Sequence, residues 1–319
     1  MPRCAAWILP LLLTATDAVA APKWTKLSWA SADAATTIAL TWVTDANAGT
    51  VVEYGVASTS EHRLAGPAPV EISGIGWFHE IELTGLVPNT RYRYRVGATG
   101  DFSGEATFQT AANDACTPFT FVQLGDARSQ REYGPSPVWP SIQEEARVAG
   151  AAFFLNAGDL VKSGDDIAQW AHWLEDSAPV NAVVPMMPTI GNHDDGPGDG
   201  ASANYNRLFA LPTNTVTGTE DYYSFVYNNL LVFSLSTQTF EDYPAQAAWM
   251  RAIASLPEHR TRWKVVFFHH PVYTTQASSL SHEANEHGQN PDYAPLFDDV
   301  GIDIVFQSHN HIYERFRPL

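Results

Sequence analysis

The sequence predicts an all-β sandwich followed by an α/β unit, and three observations predict it. Residues from about 22 to 112 alternate apolar and polar side chains at period two, with turn residues about every ten positions. From about residue 118 onward, short apolar runs alternate with longer amphipathic stretches, the mark of strand–helix–strand units with parallel pairing. The 319 residues are also too many for one ordinary domain of roughly 150 residues. Hydrophobic residues at 45% against 17% charged residues leave enough apolar surface for a packed core and argue against disorder.

In the first unit, Thr37–Val43, Val51–Tyr54 and His79–Leu83 read as strands. Residues 86–96 come next, with Tyr92, Tyr94 and Val96 on one face and Arg91, Arg93 and Arg95 on the other. The arginine stripe reads as a solvated strand face and the unit as a scaffold. In the second unit, Phe119–Leu124 reads as a buried strand, Ser141–Ala151 as a helix and Ala152–Ala157 as a strand. Asp165–Glu175 reads as a helix; Val183–Ile190, Trp263–Phe268 and Ile302–Phe306 read as further strands. Ahead of both units stand Met1-Pro-Arg, an apolar run from Cys4 to Leu13 and Ala18-Val-Ala20, a pattern that predicts a secretory signal peptide over residues 1–20. The run falls short of the roughly 20 residues of a membrane span, so we expect export, secreted or periplasmic, with an N-terminal anchor as the rival reading. Cleavage after Ala20 would remove Cys4 and leave Cys116 without an internal disulfide partner.

The net charge of −17 argues against nucleic-acid duplexes and anionic membranes as partners. It leaves a small phosphorylated substrate open, because local cations can hold one. Residues 113–319 carry nine of the eleven histidines. Five predicted strands run directly into chemically pointed segments: Gly125-Asp126, Gly158-Asp159, Gly191-Asn192-His193-Asp194, His269-His270-Pro271 and Ser308-His309-Asn310-His311. Asp126 to Asp159 and Asp159 to Asn192 are both steps of 33 residues. That is about one βαβ unit, so each step returns the chain to one edge of the sheet, where open α/β sheets bind ligands. Each motif alone is weak, since a Gly-Asp after a strand is usually a turn. Together they place oxygen and imidazole donors on one rim, a set suited to two Zn, Mn or Fe ions sharing a carboxylate. Two such ions would clamp a phosphate and lower the pKa of a bridging water. The glycines before Asp126, Asp159 and Asn192 are expected to let the backbone turn off each strand. His270 and His172 read as residues that pack near the ligands or support them from behind.

With these motifs in order, the chain resembles a purple acid phosphatase–type metallophosphoesterase of the calcineurin-like superfamily. The alternation of Leu86, Pro88, Thr90, Tyr92 and Tyr94 resembles a fibronectin type III–like module, in which a tyrosine closes a corner of the sandwich. The resemblance implies domains at 22–112 and 118–319, the second a four-layer αββα sandwich. It implies Asp126 and His311 on the first metal, Asn192, His269 and His309 on the second, and Asp159 bridging. His193 would serve near the leaving group, and His282 resembles a substrate-pocket histidine, a surface-loop role being the equal alternative. The family's iron-binding tyrosine is replaced by Lys162, so we expect a colourless protein with two divalent ions and no Fe(III)-tyrosinate. Relatives without that tyrosine often carry His two residues after the first Asp; here stands Arg128, which either meets substrate phosphate or pairs with a nearby carboxylate. Ser308 replaces a usual glycine. The family usually continues beyond the position of Leu319, so either this chain is a fragment or an edge strand is missing. The expected function is a secreted phosphatase that cleaves phosphate monoesters through a metal-bound hydroxide. The rivals are a phosphodiesterase or nucleotide hydrolase on the same metals and a non-catalytic secreted binding protein.

Overall fold

The computed structural model describes residues 21–129, 138–196, 198–199, 202–238, 243–275 and 289–317. The proposed signal peptide, residues 1–20, and His282 lie outside them.

The first unit is a two-sheet sandwich. One sheet orders β1 (Lys23–Ser28), β2 (Ile38–Thr44), β6 (Gly76–Leu83) and β5 (Val70–Ile72). The other orders β4 (His62–Ala65), β3 (Val51–Gly55), β7 (Arg91–Ala98) and β8 (Asp101–Phe102), with β9 (Ala106–Gln109) also on β7. The alternation in β7 is as expected: Tyr92, Tyr94 and Val96 are buried with Leu40, Trp42, Val52, Ile81 and Phe108. The Tyr92 hydroxyl accepts from Val87 N–H at 3.0 Å and ties the corner. On the opposite face Arg95 pairs with Glu53 at 2.5 Å and Arg93 with Glu105 at 2.6 Å. Those arginines have carboxylate partners within the sheet.

The second unit stacks two sheets. The strands β10 (Thr120–Leu124), β11 (Ala151–Asn156) and β12 (Met186–Pro188) form a parallel sheet. The second sheet orders β13 (Tyr223–Tyr227), β14 (Leu230–Ser234), β15 (Trp263–Phe267) and β16 (Ile304–Phe306). Here β13–β14 is antiparallel and the rest parallel, so the pairing is mixed, where the sequence predicted parallel strands alone. Side chains alternate between the layers: Phe153, Leu155, Val232, Val265 and Phe267 fill the space between the sheets. Phe154 and Met186 pack outward with Trp139 and Ala146 of α1 (Trp139–Val148) and Val180 of α2 (Ile167–Asn181). Leu231, Phe233 and Val266 pack outward with α4 (Tyr243–Ser255) and α5 (Gln289–Val300); a short α3 (Ala203–Leu208) lies between β12 and β13. The order is helix, sheet, sheet, helix. Among the boundaries that differ from the expected ones, α1 ends at Val148 because Gly150 turns at φ 86°, α2 runs on to Asn181, and only Met186–Pro188 of the third segment pairs as a strand.

The two units share a core. Trp29 at the end of β1 stacks on Phe225 at 5.2 Å and meets Phe153 edge-on at 5.7 Å. Ser28 Oγ donates to Ala210 O at 2.6 Å, and Tyr94 Oη to Ala182 O at 2.6 Å. Lys26, also buried, donates to Thr41 Oγ1 at 2.8 Å and Leu208 O at 2.9 Å. The sandwich thereby braces the layer that carries the rim.

Candidate metal centre

Five chain segments meet at the carboxyl ends of β10, β11, β12, β15 and β16. The first two are zipped together beyond their strands. Asp126 N donates to Gly158 O at 2.9 Å, Arg128 N to Asp159 O at 2.9 Å and Ser129 N to Leu160 O at 3.0 Å. The turning is done by the functional residues themselves. Asp126 (φ 54°), Arg128 (φ 44°), Asp159 (φ 55°), His309 (φ 75°) and His311 (φ 51°) all occupy the left-handed region, at a cost of about 1–3 kcal/mol each. This corrects the expected role of the glycines. Of the three, only Gly158 has a positive φ, at 91°. Gly191 is there for close approach: a Cβ on it would collide with the backbone nitrogen and Oδ1 of Asp159.

Donor atoms converge in two groups. In the first, His269 Nε2 lies 2.9 Å from Asn192 Oδ1, 3.1 Å from His309 Nδ1 and 3.2 Å from Asp159 Oδ1; His309 Nδ1 lies 3.1 Å from Asn192 Oδ1. Ligands about 2.05 Å from one ion stand about 2.9 Å apart at octahedral and about 3.3 Å at tetrahedral edges. The observed spacings fall in that window. The ring orientation fits too: His269 Nδ1 donates to Ala157 O at 2.8 Å, so Nε2 is the nitrogen turned towards the other donor atoms. In the second group, Asp126 Oδ1 faces His311 Nε2 at 3.2 Å, beside Asp159. Asp126 Oδ1 is buried and has no hydrogen-bond donor among the described residues, an atom that asks for a cation. Its sister Oδ2 accepts from Ser308 Oγ and, at 3.3 Å, from His309 N. The serine that replaces a glycine thus fixes Asp126 by a hydroxyl that glycine lacks. The residues therefore fit divalent metal, completely in the first group and with fewer donors in the second.

Asp159 is fully buried. Burial raises its carboxyl pKa, but the His269 ring, the His193 N–H at 3.0 Å and the Arg128 guanidinium outweigh that and hold it below the ordinary range. Arg128 lies on it with Nε at 2.9 Å and Nη2 at 2.7 Å from Oδ2. A carboxylate contact, one of the two roles left open for Arg128, is thus present. His193 Nδ1 lies 2.7 Å from Lys162 O, so Nδ1 carries a proton and Nε2 is the nitrogen left for chemistry. The Lys162 side chain itself is exposed.

Two residues less prominent in the sequence frame the centre. Asp194 is buried beneath it: Oδ1 accepts from Leu160 N at 2.8 Å and Val161 N at 3.1 Å, and Oδ2 from Gly191 N at 2.9 Å. Burial and the charge of Asp159 push its pKa well up, against the pull of those three N–H groups. His270, read from sequence as packing near the ligands or supporting them, backs His309 at a ring distance of 4.6 Å, with Nδ1 3.1 Å from Thr237 O. Burial and the neighbouring imidazoles lower its pKa to about 2, so it stays neutral.

Residues 22–110 match the family model described as Purple acid Phosphatase, N-terminal domain, and residues 95–313 match Calcineurin-like phosphoesterase. The chain belongs to the calcineurin-like phosphoesterase family. Purple acid phosphatase 18 of Arabidopsis thaliana is 28% identical over 287 residues, covering 86% of this chain and 62% of that protein. The chain therefore spans less than two thirds of that relative's length. A purple acid phosphatase from yellow lupin (Lupinus luteus) seeds shares the fold at a TM-score of 0.74 and 18% identity, covering 92% of this chain and 60% of that one. PhoD does so at 0.66 and 13% identity, covering 92% and 72%.

All six expected metal ligands, Asp126, Asp159, Asn192, His269, His309 and His311, are gathered at this rim, with Arg128 and His193 beside Asp159. The one predicted site residue with no place in this description is His282, which lies outside the described residues. Asp194 carried a weak sequence signal, an acidic residue two positions after Asn192; its contact with the Asp159 loop spans 34 residues of chain.

Proposed function

We propose that the protein is an exported, metal-dependent phosphoesterase that cleaves phosphate monoesters. The convergence of Asp159, Asn192, His269 and His309 donors within 3.2 Å of His269 Nε2 carries this reading. Asn192, His269, His309 and Asp159 would hold a cation, and Asp126, His311 and Asp159 offer a second position. Divalent metal supplies Lewis acidity at a phosphoryl oxygen and acidifies water at the site.

The rest is done by this chain's own groups. Asp159 remains an anion and keeps its neighbours in register. His193, held through Nδ1 by the Lys162 carbonyl, presents Nε2 to the leaving group; with both ring nitrogens protonated it delivers the Nε2 proton to the departing alkoxide and is left as the Nδ1–H tautomer. Arg128 brings a permanent positive charge to an otherwise strongly acidic protein and has N–H groups beyond those on Asp159 to donate to phosphoryl oxygens. In this reading residues 118–319 form the catalytic domain and 22–112 a brace. The basic start, apolar run and Ala18-Val-Ala20 of residues 1–20 support export.

The test measures bound metal and compares hydrolysis of an aryl phosphate monoester with that of a diester, Asp159→Asn serving as control. We expect metal in the wild type, faster monoester turnover and loss of activity in the variant. Faster diester turnover would favour a phosphodiesterase. A wild type with neither metal nor turnover would leave a non-catalytic binding protein.

A further inference from the structure

We infer that Glu314 is a positioning residue: with Thr274 it clamps the segment that carries His311 to the loop that follows His269, and so keeps His311 at the second cation position. The inference rests on the phosphoesterase reading and concerns what holds that position together. The two histidines differ in how they are held. A ligating imidazole is ordinarily oriented by a hydrogen bond at its other ring nitrogen. His269 has one, from Nδ1 to Ala157 O at 2.8 Å. His311 Nε2 faces Asp126 Oδ1 at 3.2 Å, but among the described residues its Nδ1 has no such partner. Its side chain is 46% exposed, so packing does not fix it either. The backbone at His311 is left-handed, at φ 51°, a conformation that persists only where the surroundings impose it. What places His311 therefore acts through the chain on either side of it.

On the near side, Ser308 N donates to His269 O at 3.0 Å, and Gln307 Oε1 accepts from Val272 N at 3.1 Å and Tyr273 N at 3.2 Å. Asn310 Nδ2 donates to Thr274 Oγ1 at 2.9 Å. These bonds fix the chain up to Asn310, and with it His309. Beyond His311 the hold passes to Glu314. Its Oε2 accepts from Thr274 Oγ1 at 3.0 Å, and its Oε1 accepts from Thr275 N at 2.9 Å and from the Thr275 hydroxyl. Burial raises the Glu314 pKa, but these bonds outweigh it and hold the carboxyl below its ordinary range, so both oxygens act as acceptors.

Thr274 joins the two sides. Its hydroxyl donates to Glu314 and accepts from Asn310, so the chain before and after His311 is tied through one oxygen. The stretch Asn310–Glu314 is thus pinned at both ends with His311 inside it. The rings of Tyr273 and Phe316, 6.2 Å apart, continue the contact between the same two segments. The brace is selective. Asn192, His269 and His309 are held by their own strand ends and by the bonds of Ser308, Gln307 and Asn310, and Glu314 bonds to none of them. Losing Glu314 frees His311 and leaves the first group in place.

The test is a metal count on the full chain. Metal-free protein is titrated with Mn²⁺ by calorimetry, and the loaded protein is examined by electron paramagnetic resonance. We expect the wild type to take two ions with an exchange-coupled spectrum. In Glu314→Ala the first ion should bind within about 3-fold of the wild type and the second about 10–100-fold more weakly, leaving the six-line spectrum of an isolated ion. Glu314→Gln, which keeps an oxygen for Thr275 and a polar group beside Thr274, should restore the coupled spectrum. A Glu314→Ala chain that folds, as judged by circular dichroism, and binds the second ion as the wild type does would overturn the inference. Equal weakening of both ions would do the same, as the mark of a merely structural role, and so would a Glu314→Gln chain as poor as Glu314→Ala, which would trace the effect to charge. If Glu314→Ala fails to fold, Thr274→Val decides, since it removes the joining hydroxyl at nearly constant volume: second-ion affinity should fall, and unchanged affinity overturns the inference. A wild type that takes one ion and still hydrolyses aryl phosphate would overturn this inference and leave the phosphoesterase reading standing. No bound ion and no hydrolysis would overturn both.

Discussion

Asp194→Ala tests whether the rim is held from below. Asp194 is fully buried, and its two oxygens satisfy three backbone N–H groups: Leu160 and Val161 in the loop after β11, and Gly191 in the loop after β12. Alanine leaves all three without an acceptor in a space lined by protein. At about 1–1.5 kcal/mol for each orphaned donor after relaxation, the loss is about 3–4.5 kcal/mol. A unit of this size loses about 2–4 °C per kcal/mol, so the melting midpoint should fall by about 6–18 °C. Because the same loops carry Asp159 and Asn192, metal affinity should fall with it. Differential scanning calorimetry and Mn²⁺ titration measure the two effects. A fall of under about 3 °C with unchanged metal affinity would refute the reasoning, since the three N–H groups would then have found other acceptors at no cost.

Two further outcomes are expected. Burial lowers the Lys26 ammonium from 10.5 to about 7, against the pull of Glu80. Between about pH 7 and 10.5 the unfolded chain keeps a proton that the folded chain gives up, so this lysine makes stability rise with pH over that window. Relative to Lys26→Met, the wild type should gain about 2–3 kcal/mol between about pH 7 and 9 in urea unfolding; equal pH slopes would count against it. Tyr92→Phe removes the acceptor for Val87 N–H while keeping the ring stacked on Phe108. It should cost about 1 kcal/mol by the same assay without altering metal content, whereas a loss of metal would mean the corner communicates with the rim.

Much of this architecture was legible because its signals are periodic or local. The β7 alternation separated tyrosines from arginines residue by residue. Glycine, aspartate and histidine at the strand ends marked the rim, because parallel strands in a layered fold finish on the same side. What was hidden depends on distant contacts. Strand β14 is too thoroughly buried to show alternation: every residue of Leu230–Ser234 is buried, so its apolar run does not distinguish strand from buried helix. The left-handed conformations of Asp126, Asp159 and Arg128 break the residue preferences on which sequence reading relies. Such strain is held only by the completed zipper between the loops. That Arg128 reaches a carboxylate was likewise a question of geometry, since its partner lies 31 residues away.

The stacked rings of Trp29, Phe153 and Phe225, with the hydrogen bonds from Ser28 and Tyr94, make the N-terminal sandwich something other than a detachable accessory. A truncation made at the sequence boundary would uncover Phe153 of β11 and Phe225 of β13 and leave the Ala182 and Ala210 carbonyls without their donors. The minimal fragment able to present this centre in a stable form therefore begins near Lys23. Engineering that exchanges the front unit must carry the Trp29 knob and its neighbours along with it.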